Sequence, residues 1–227
     1  MNGKAIVVTG AQGALGRVMV ASAIATGAQL AGVDHARAPI PASGEHHLEI
    51  GGVDLSDAAQ AKQAIDTVAN HFGKLDALIN IAGGFTFETV GDGEPATWQR
   101  MHALNLLTAL NASRAALPYL AASPAGRIVN IGALGALQAG PGMGAYAASK
   151  AGVHRLTEAL AAEWRGKITV NAVLPSIIDT AANRASMPNA DFSKWVAPRE
   201  LAEVILFLLS NAASAVTGAL IPVPGRV

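Results

Sequence analysis

Tyr146 and Lys150 stand four residues apart in the run Gly144-Ala145-Tyr146-Ala147-Ala148-Ser149-Lys150. In a helix that spacing puts both side chains on one face, one turn from each other. A phenol ordinarily titrates at about 10, too high for ready proton exchange at neutral pH. An ammonium about 4 Å away, in an effective dielectric of about 20, contributes about 4 kcal/mol. That lowers the phenol by at most about 3 pKa units and supplies a proton donor and acceptor nearer working pH. On a solvated helix face the same pair does nothing, so its surroundings decide.

A second group of residues lies near the start of the chain. The run Lys4–Thr9 (KAIVVT) leads into Thr9-Gly10-Ala11-Gln12-Gly13-Ala14-Leu15-Gly16-Arg17, and a helical pattern follows. Glycines at 10, 13 and 16 permit a tight turn and close backbone approach, with the helix N-terminus free to receive a pyrophosphate. By itself the turn is equally an ordinary strand–helix connection. The next apolar run, Gln29–Val33, ends in Asp34. A carboxylate there accepts from both adenosine ribose hydroxyls and repels a 2′-phosphate, which favours NAD(H) and leaves NADP(H) possible. Arg37 lies close enough to moderate that preference. Asp54 is a second candidate, for the adenine amino group; it competes with Ser56 and Asp57 for the alternative task of capping the following helix.

These residues need a frame. Lys4–Thr9, Gln29–Val33, Leu75–Asn80, Arg127–Ile131 and Ile168–Leu174 read as buried strands, with Ala219–Val223 as a final one. Ala14–Ala25, Asp57–Phe72, Ala96–Leu120, Met143–Trp164 and Arg199–Leu209 read as helices. Strand–helix alternation along a whole chain predicts crossover connections. The expected fold class is therefore α/β: a single domain over residues 1–227 with a doubly wound, mostly parallel sheet flanked by helices, the Rossmann fold. His35–Glu45, with two prolines and a glycine, reads as a loop with little or no helix. Ser176–Pro198 is long for a connection and reads as a substrate loop or lid, or else a surface excursion.

Composition agrees. Hydrophobic residues make up 51% and charged residues 14% of the 227, as a doubly covered sheet requires. Lys plus Arg and Asp plus Glu number 16 each, so no electrostatic case exists for nucleic acid or an anionic membrane. A net charge of zero removes one barrier to self-association. The absence of cysteine excludes disulfides and thiolate chemistry, no metal site is expected, and a cytoplasmic location is. Strand-like sequence from Lys4 leaves no room for a signal peptide, and no apolar run is long enough to span a bilayer.

Taken together the motifs resemble the short-chain dehydrogenase/reductase family. The residues that carry the likeness are the Thr9–Gly16 turn, Asn80-Ile81-Ala82-Gly83, Asn105, Tyr146 with Lys150, and Asn171 through Pro175 to Thr180. The resemblance implies that Tyr146 is the general acid/base, that Lys150 holds the nicotinamide ribose and lowers the phenol, and that Asn105 holds a proton-relaying water. It implies a cofactor cradle of Gly10, Gln12, Gly13, Leu15, Gly16, Asp34, Asp54, Leu55, Asn80, Ala82, Gly83, Pro175, Ile177 and Thr180. It further implies a small-molecule substrate and a homodimer or homotetramer built from the two long helices.

One departure matters most. The family usually has a serine thirteen residues before the tyrosine, holding the reacting oxygen, and here that position is Ala133. Such a donor is worth about 10²-fold or more in rate. The quinonoid dihydropteridine reductase-like branch works without it. This chain resembles that branch at Gly13–Gly16, Ala82-Gly83-Gly84 with Phe85, Pro141-Gly142-Met143, Asp179-Thr180, Asn183-Arg184, Ser186-Met187-Pro188 and Ala190 to Trp195. NADH-dependent reduction of a small conjugated substrate such as quinonoid dihydropterin is the function this implies, with Phe85 packing on a flat heterocycle and Trp195 closing over it. Two alternatives stand beside it: a carbonyl or alcohol oxidoreductase that manages without the serine, and a catalytically weak NAD(H)-binding sensor or scaffold.

Overall fold

Alternating buried and covered runs close into one sheet. The computed structural model describes residues 1–37 and 46–227; most of the loop expected over 35–45 lies outside the described residues. The strands are β1 (Ala5–Thr9), β2 (Gln29–Val33), β3 (His47–Ile50), β4 (Ala77–Asn80), β5 (Gly126–Ile131), β6 (Ile168–Pro175) and β7 (Leu220–Val223). Their order is β3-β2-β1-β4-β5-β6-β7, and every neighbouring pair is parallel. The expected doubly wound Rossmann fold is what the chain adopts. β3 is an addition: at the sheet edge its four partly buried residues, HLEI, carry no continuous apolar run.

The helices are α1 (Ala14–Ala25), α2 (Ala58–Phe72), α3 (Pro95–Met101), α4 (Thr108–Ala122), α5 (Gly144–Glu163), α6 (Ala181–Ser186) and α7 (Pro198–Leu209). Alternation along each strand divides the core. Ile6 and Val8 of β1 pack with Leu15 and Met19 of α1 and Leu201, Ile205 and Leu208 of α7. Val7 of β1 and Leu78 of β4 pack on the other face with Ile65 of α2, Ala112 and Ala116 of α4 and Leu160 of α5. Side chains as fully buried as Ile6, Leu78, Ile79 and Ile128 each contribute about 1.5–3 kcal/mol of burial.

Two expected segments differ in detail. The helix expected over 96–120 is interrupted by a π-helical turn, His102–Leu107, between α3 and α4. Such turns widen the helix to i→i+5 bonding and tend to mark functional positions. The excursion from Ser176 to Pro198 holds α6, a 3₁₀ turn at Phe192–Lys194 and a parallel bridge between Ile178 and Val196. Strand order reverses between β1 and β4, so the crevice at the C-terminal ends of these strands is where a doubly wound sheet places its ligand. Among the described residues no helix is long and apolar enough to cross a membrane.

Candidate active site

The glycine turn forms one wall of that crevice. Gly10 has φ +67°, and a Cβ there would stand 2.8 Å from the backbone nitrogen of Ala82. A Cβ on Gly16 would stand 2.1 Å from the Gly10 carbonyl. Both positions exclude side chains because β1, α1 and the segment after β4 meet backbone to backbone. The Gly13 N–H donates to Gly10 O at 3.1 Å, and α1 starts at Ala14 with no side chain capping it. Its first N–H groups therefore face the crevice unshared.

A cleft of about 760 Å³ runs across this wall. Of the residues expected to hold a cofactor, Gly10, Gln12, Gly13, Leu15, Asp34, Asp54, Leu55, Ala82 and Gly83 line it. Asp34 accepts from Gln12 N and from Ala36 N, both at 2.8 Å. Asp57, not Asp54, caps α2, accepting from Ala59 N at 2.8 Å and Gln60 N at 3.2 Å. Asp54 instead bonds Ser56, whose hydroxyl and N–H hold its carboxyl below the usual carboxylate range. Arg100, Ala103, Leu104 and Thr108 line the cleft as well. Local sequence does not mark these four, because which helix face meets the crevice is set by packing between distant elements.

Glu49 of β3 was missed with its strand. Its carboxylate lies over Gly32, where a Cβ would stand 2.5 Å from Oε2. Oε2 accepts from Gln12 Nε2 at 3.5 Å, and Oε1 pairs with His47 Nε2 at 2.8 Å. Since Gly32 and Asp34 share a sheet face, Asp34 and Glu49 put two carboxylates on the same side of the turn. Only the polar alternation of His47-Leu48-Glu49-Ile50 could have signalled this.

Gly83 joins the cleft to the reactive pair, since a Cβ there would stand 2.5 Å from Asn105 Oδ1 and 3.4 Å from Lys150 Nζ. Asn105 sits buried in the π-helical turn. Its Oδ1 accepts from Gly84 N at 2.9 Å, and its Nδ2 donates to Gly84 O at 3.1 Å and to Ser149 Oγ at 3.0 Å. Lys150 Nζ donates to Ile131 O at 2.8 Å. Phe85, 55% exposed, meets Tyr146 edge to face with ring centroids 5.0 Å apart. The structure therefore gathers Phe85, Asn105, Tyr146 and Lys150 beside the cleft.

The expected lowering of the Tyr146 phenol by Lys150 gives way to burial. Burial pushes the Tyr146 phenol up to about 12. Burial likewise brings the Lys150 ammonium down to about 8. Removing both groups from water disfavours both charged forms, and the ammonium is directed to the Ile131 carbonyl. At neutral pH the phenol is protonated and the lysine remains mostly charged.

Other expected residues stand elsewhere or are engaged otherwise. Asn80 turns inward, donating to Ser113 Oγ at 3.0 Å and Asn130 Oδ1 at 2.8 Å. Asn130 in turn donates to Thr157 Oγ1 at 2.8 Å, so this chain of polar groups ties β4 and β5 to α4 and α5. Trp195 is 4% exposed and packs on Phe192 at 4.7 Å, leaving no free face to close over a substrate. Phe192 also lies under Arg184, which pairs with Asp179 at 2.6 Å and 2.7 Å. The motif run from Asp179 to Trp195 thus braces its own loop. Thr180 caps α6 through Asn183 N at 3.2 Å, Ile177 O accepts from Val196 N at 3.0 Å, and Pro175 pairs with Val223 at the end of β6. These three, with Gly16, stand outside the cleft lining. Ala133 is buried, and its N–H donates to His154 Nε2 at 3.3 Å. No Ser or Thr occurs from Gly132 to Ala145, so this stretch presents no hydroxyl to the site.

Known proteins resemble this chain in sequence and fold. Residues 4–191 match the family model for short chain dehydrogenase. The chain is 30% identical to 2-(S)-hydroxypropyl-CoM dehydrogenase 3 of Xanthobacter autotrophicus, across 99% of this chain and 96% of that one. The structure of a 3-ketoacyl-(acyl-carrier-protein) reductase from Brucella melitensis, complexed with NADH, is 27% identical with a TM-score of 0.85, covering 99% of this chain and 98% of that one. A gluconate 5-dehydrogenase from Burkholderia cenocepacia, in complex with NADP and tartrate, is 26% identical with a TM-score of 0.90, covering 99% and 95%. With the glycine turn, the parallel sheet and this family match in agreement, the chain belongs to the short-chain dehydrogenase/reductase family and is an NAD(P)-dependent oxidoreductase.

Proposed function

We propose that this protein catalyses NADH-dependent reduction of a small, flat, conjugated substrate, with quinonoid dihydropterin the first to test. The observation that carries the reading is Tyr146 lying under the exposed ring of Phe85, with no hydroxyl on the Gly132–Ala145 stretch beside it. A ketone passes through a developing alkoxide, which a second donor stabilises. A conjugated imine takes hydride at one end and a proton on nitrogen at the other, so one donor suffices. The dinucleotide, when bound, supplies the hydride.

Each residue has a place in this reading. The Gly10–Gly16 turn and the Ala82–Gly83 backbone leave room for a dinucleotide where any Cβ at Gly10 would collide with Ala82. Gln12, Gly13, Leu15, Asp54 and Leu55 hold its adenosine and phosphates, and Asp34, seconded by Glu49, disfavours a 2′-phosphate there. Tyr146, neutral at working pH, gives the proton. Lys150 keeps a positive charge beneath the forming phenolate and meets the nicotinamide ribose. Asn105 fixes Gly84, and with it the approach of Phe85 to Tyr146. Ile177 and Thr180 lie near the start of the 176–198 segment, which this reading assigns to the substrate side of the site. Assembly is as a homodimer or homotetramer through α4 and α5.

The deciding assay is NADH oxidation with quinonoid dihydropterin beside a panel of ketones and quinones, with wild type and Tyr146→Phe. Turnover of the pterin that falls at least 10²-fold in the variant is expected. A second reading, a carbonyl or alcohol oxidoreductase, draws on the relatives, which include 2-(S)-hydroxypropyl-CoM dehydrogenase 3 and a gluconate 5-dehydrogenase; turnover of ketones alone would establish it. Tight NADH binding with no turnover of any compound would identify a sensor. Turnover unaffected by Tyr146→Phe would remove the tyrosine from the reaction.

A further inference from the structure

Helix α5 grips the end of β5 at two points. Lys150 Nζ donates to Ile131 O at 2.8 Å, and one turn further along the helix His154 Nε2 accepts from the Ala133 N–H at 3.3 Å. Gly132 lies between the two anchors, and a Cβ there would stand 2.5 Å from His154 Nε2. The imidazole fills the space a side chain at 132 would need, so Gly132 and His154 form a matched pair. His154 is 2% exposed. A ring nitrogen that accepts carries no proton, so the geometry assigns the neutral, Nδ1-protonated tautomer.

We propose that His154 is a positioning residue of this active site: as a neutral imidazole it holds the Gly132–Ala133 backbone in place, and so keeps the Ile131 carbonyl where Lys150 requires it. This rests on Tyr146 and Lys150 being the reacting pair. Protonation would set an N–H on Nε2 against the Ala133 N–H, donor facing donor, and add a cation one turn from the Lys150 ammonium. Burial, Arg155 and Lys150 all hold the ring below the usual histidine range. β6 carries no titratable side chain, the only one on β5 is Arg127 near its opposite end, and Arg100 and His102 on the helix packed against α5 are exposed. Glu158, one turn beyond His154 on α5, pairs with Arg155 at 2.8 Å, and among the described residues no carboxylate is hydrogen-bonded to the ring.

The inference is tested first without turnover. Nitrogen-15 NMR of the imidazoles, with His154 identified by its loss in His154→Gln, is expected to show the Nδ1–H form persisting to lower pH than the other histidines. Then kcat is followed against pH. Wild type loses activity on the acid side with the midpoint seen by NMR. His154→Gln, whose amide oxygen accepts without titrating, retains neutral-pH activity and lacks that acid limb. His154→Leu loses about fivefold in kcat, the size of one neutral hydrogen bond, while NADH affinity by fluorescence is unchanged. A ring protonated at Nε2, or titrating at the ordinary histidine value, would overturn the proposal, as would an acid limb identical in wild type and His154→Gln. If Tyr146→Phe leaves turnover intact, the reacting pair is wrong, a failure separable from these because the NMR result does not depend on catalysis.

Discussion

Replacing Lys150 with methionine isolates what it costs to bury an ammonium in this site. The side chain is 6% exposed, and its folded value is about 8 against 10.5 when free. At pH 7 the folded and unfolded chains both carry the charge, and only the folded one bears its desolvation, about 3 kcal/mol at roughly 1.4 kcal/mol per pKa unit. Between about 8 and 10.5 the unfolded chain keeps the proton that the folded chain has lost, so stability rises with pH through that window. About 2–3 kcal/mol returns between pH 7 and 10. Tyr146, with a folded value of about 12, acts in the opposite sense only above the ordinary phenol value. Methionine removes this climb. It also leaves the Ile131 carbonyl without its donor, which costs about 1–3 kcal/mol at every pH. The slope against pH, rather than the difference at neutrality, is therefore the diagnostic. Urea unfolding of wild type and Lys150→Met at pH 7, 8.5 and 10 should show the wild-type midpoint gaining about 1 M on the variant, for an m-value of about 2–3 kcal/mol/M. Midpoints that run parallel across the range would refute the reasoning, because they would mean the lysine is not buried as a cation at pH 7.

Other outcomes follow from the same geometry. Glu49→Gln should narrow the gap between NADH and NADPH affinities by a fewfold and Asp34→Asn by about tenfold or more, read by fluorescence titration; an unaltered ratio in both would mean neither carboxylate meets the ribose end. Ala133→Ser should raise kcat/KM for a ketone about tenfold or more while leaving a pterin within about twofold. Equal gains on both substrates would remove the argument from the missing hydroxyl.

Much of this protein is legible locally. The glycine turn needs only residues 9–17 in order, because a tight turn and an exposed helix N-terminus are local properties of the backbone. The pairing of Tyr146 with Lys150 follows from helical periodicity alone. The doubly wound sheet follows from strand–helix alternation, and α2 could be placed from its periodicity and Asp57, its cap. Motif resemblance does not distinguish the uses of a run of residues that can serve either a ligand or its own loop. Asp179, Arg184, Phe192 and Trp195 look like a substrate loop in sequence, but three-dimensional contact spends them on bracing one another.

Residue type and short-range spacing suffice for the architecture, the dinucleotide turn, the chemical identity of the reactive pair and the lack of a hydroxyl from Gly132 to Ala145. Tertiary structure alone decided the rest. It placed Glu49 beside Gln12 across 37 positions, and Asn105 against Gly84 across 21. It also set the His154 imidazole against Ala133, turned Asn80 into the interior and buried Trp195. The Tyr146 and Lys150 titrations belong with these. A spacing of four residues predicts proximity, but how far each group is withdrawn from water, and which carbonyl meets the ammonium, depends on strands and helices far apart in the chain.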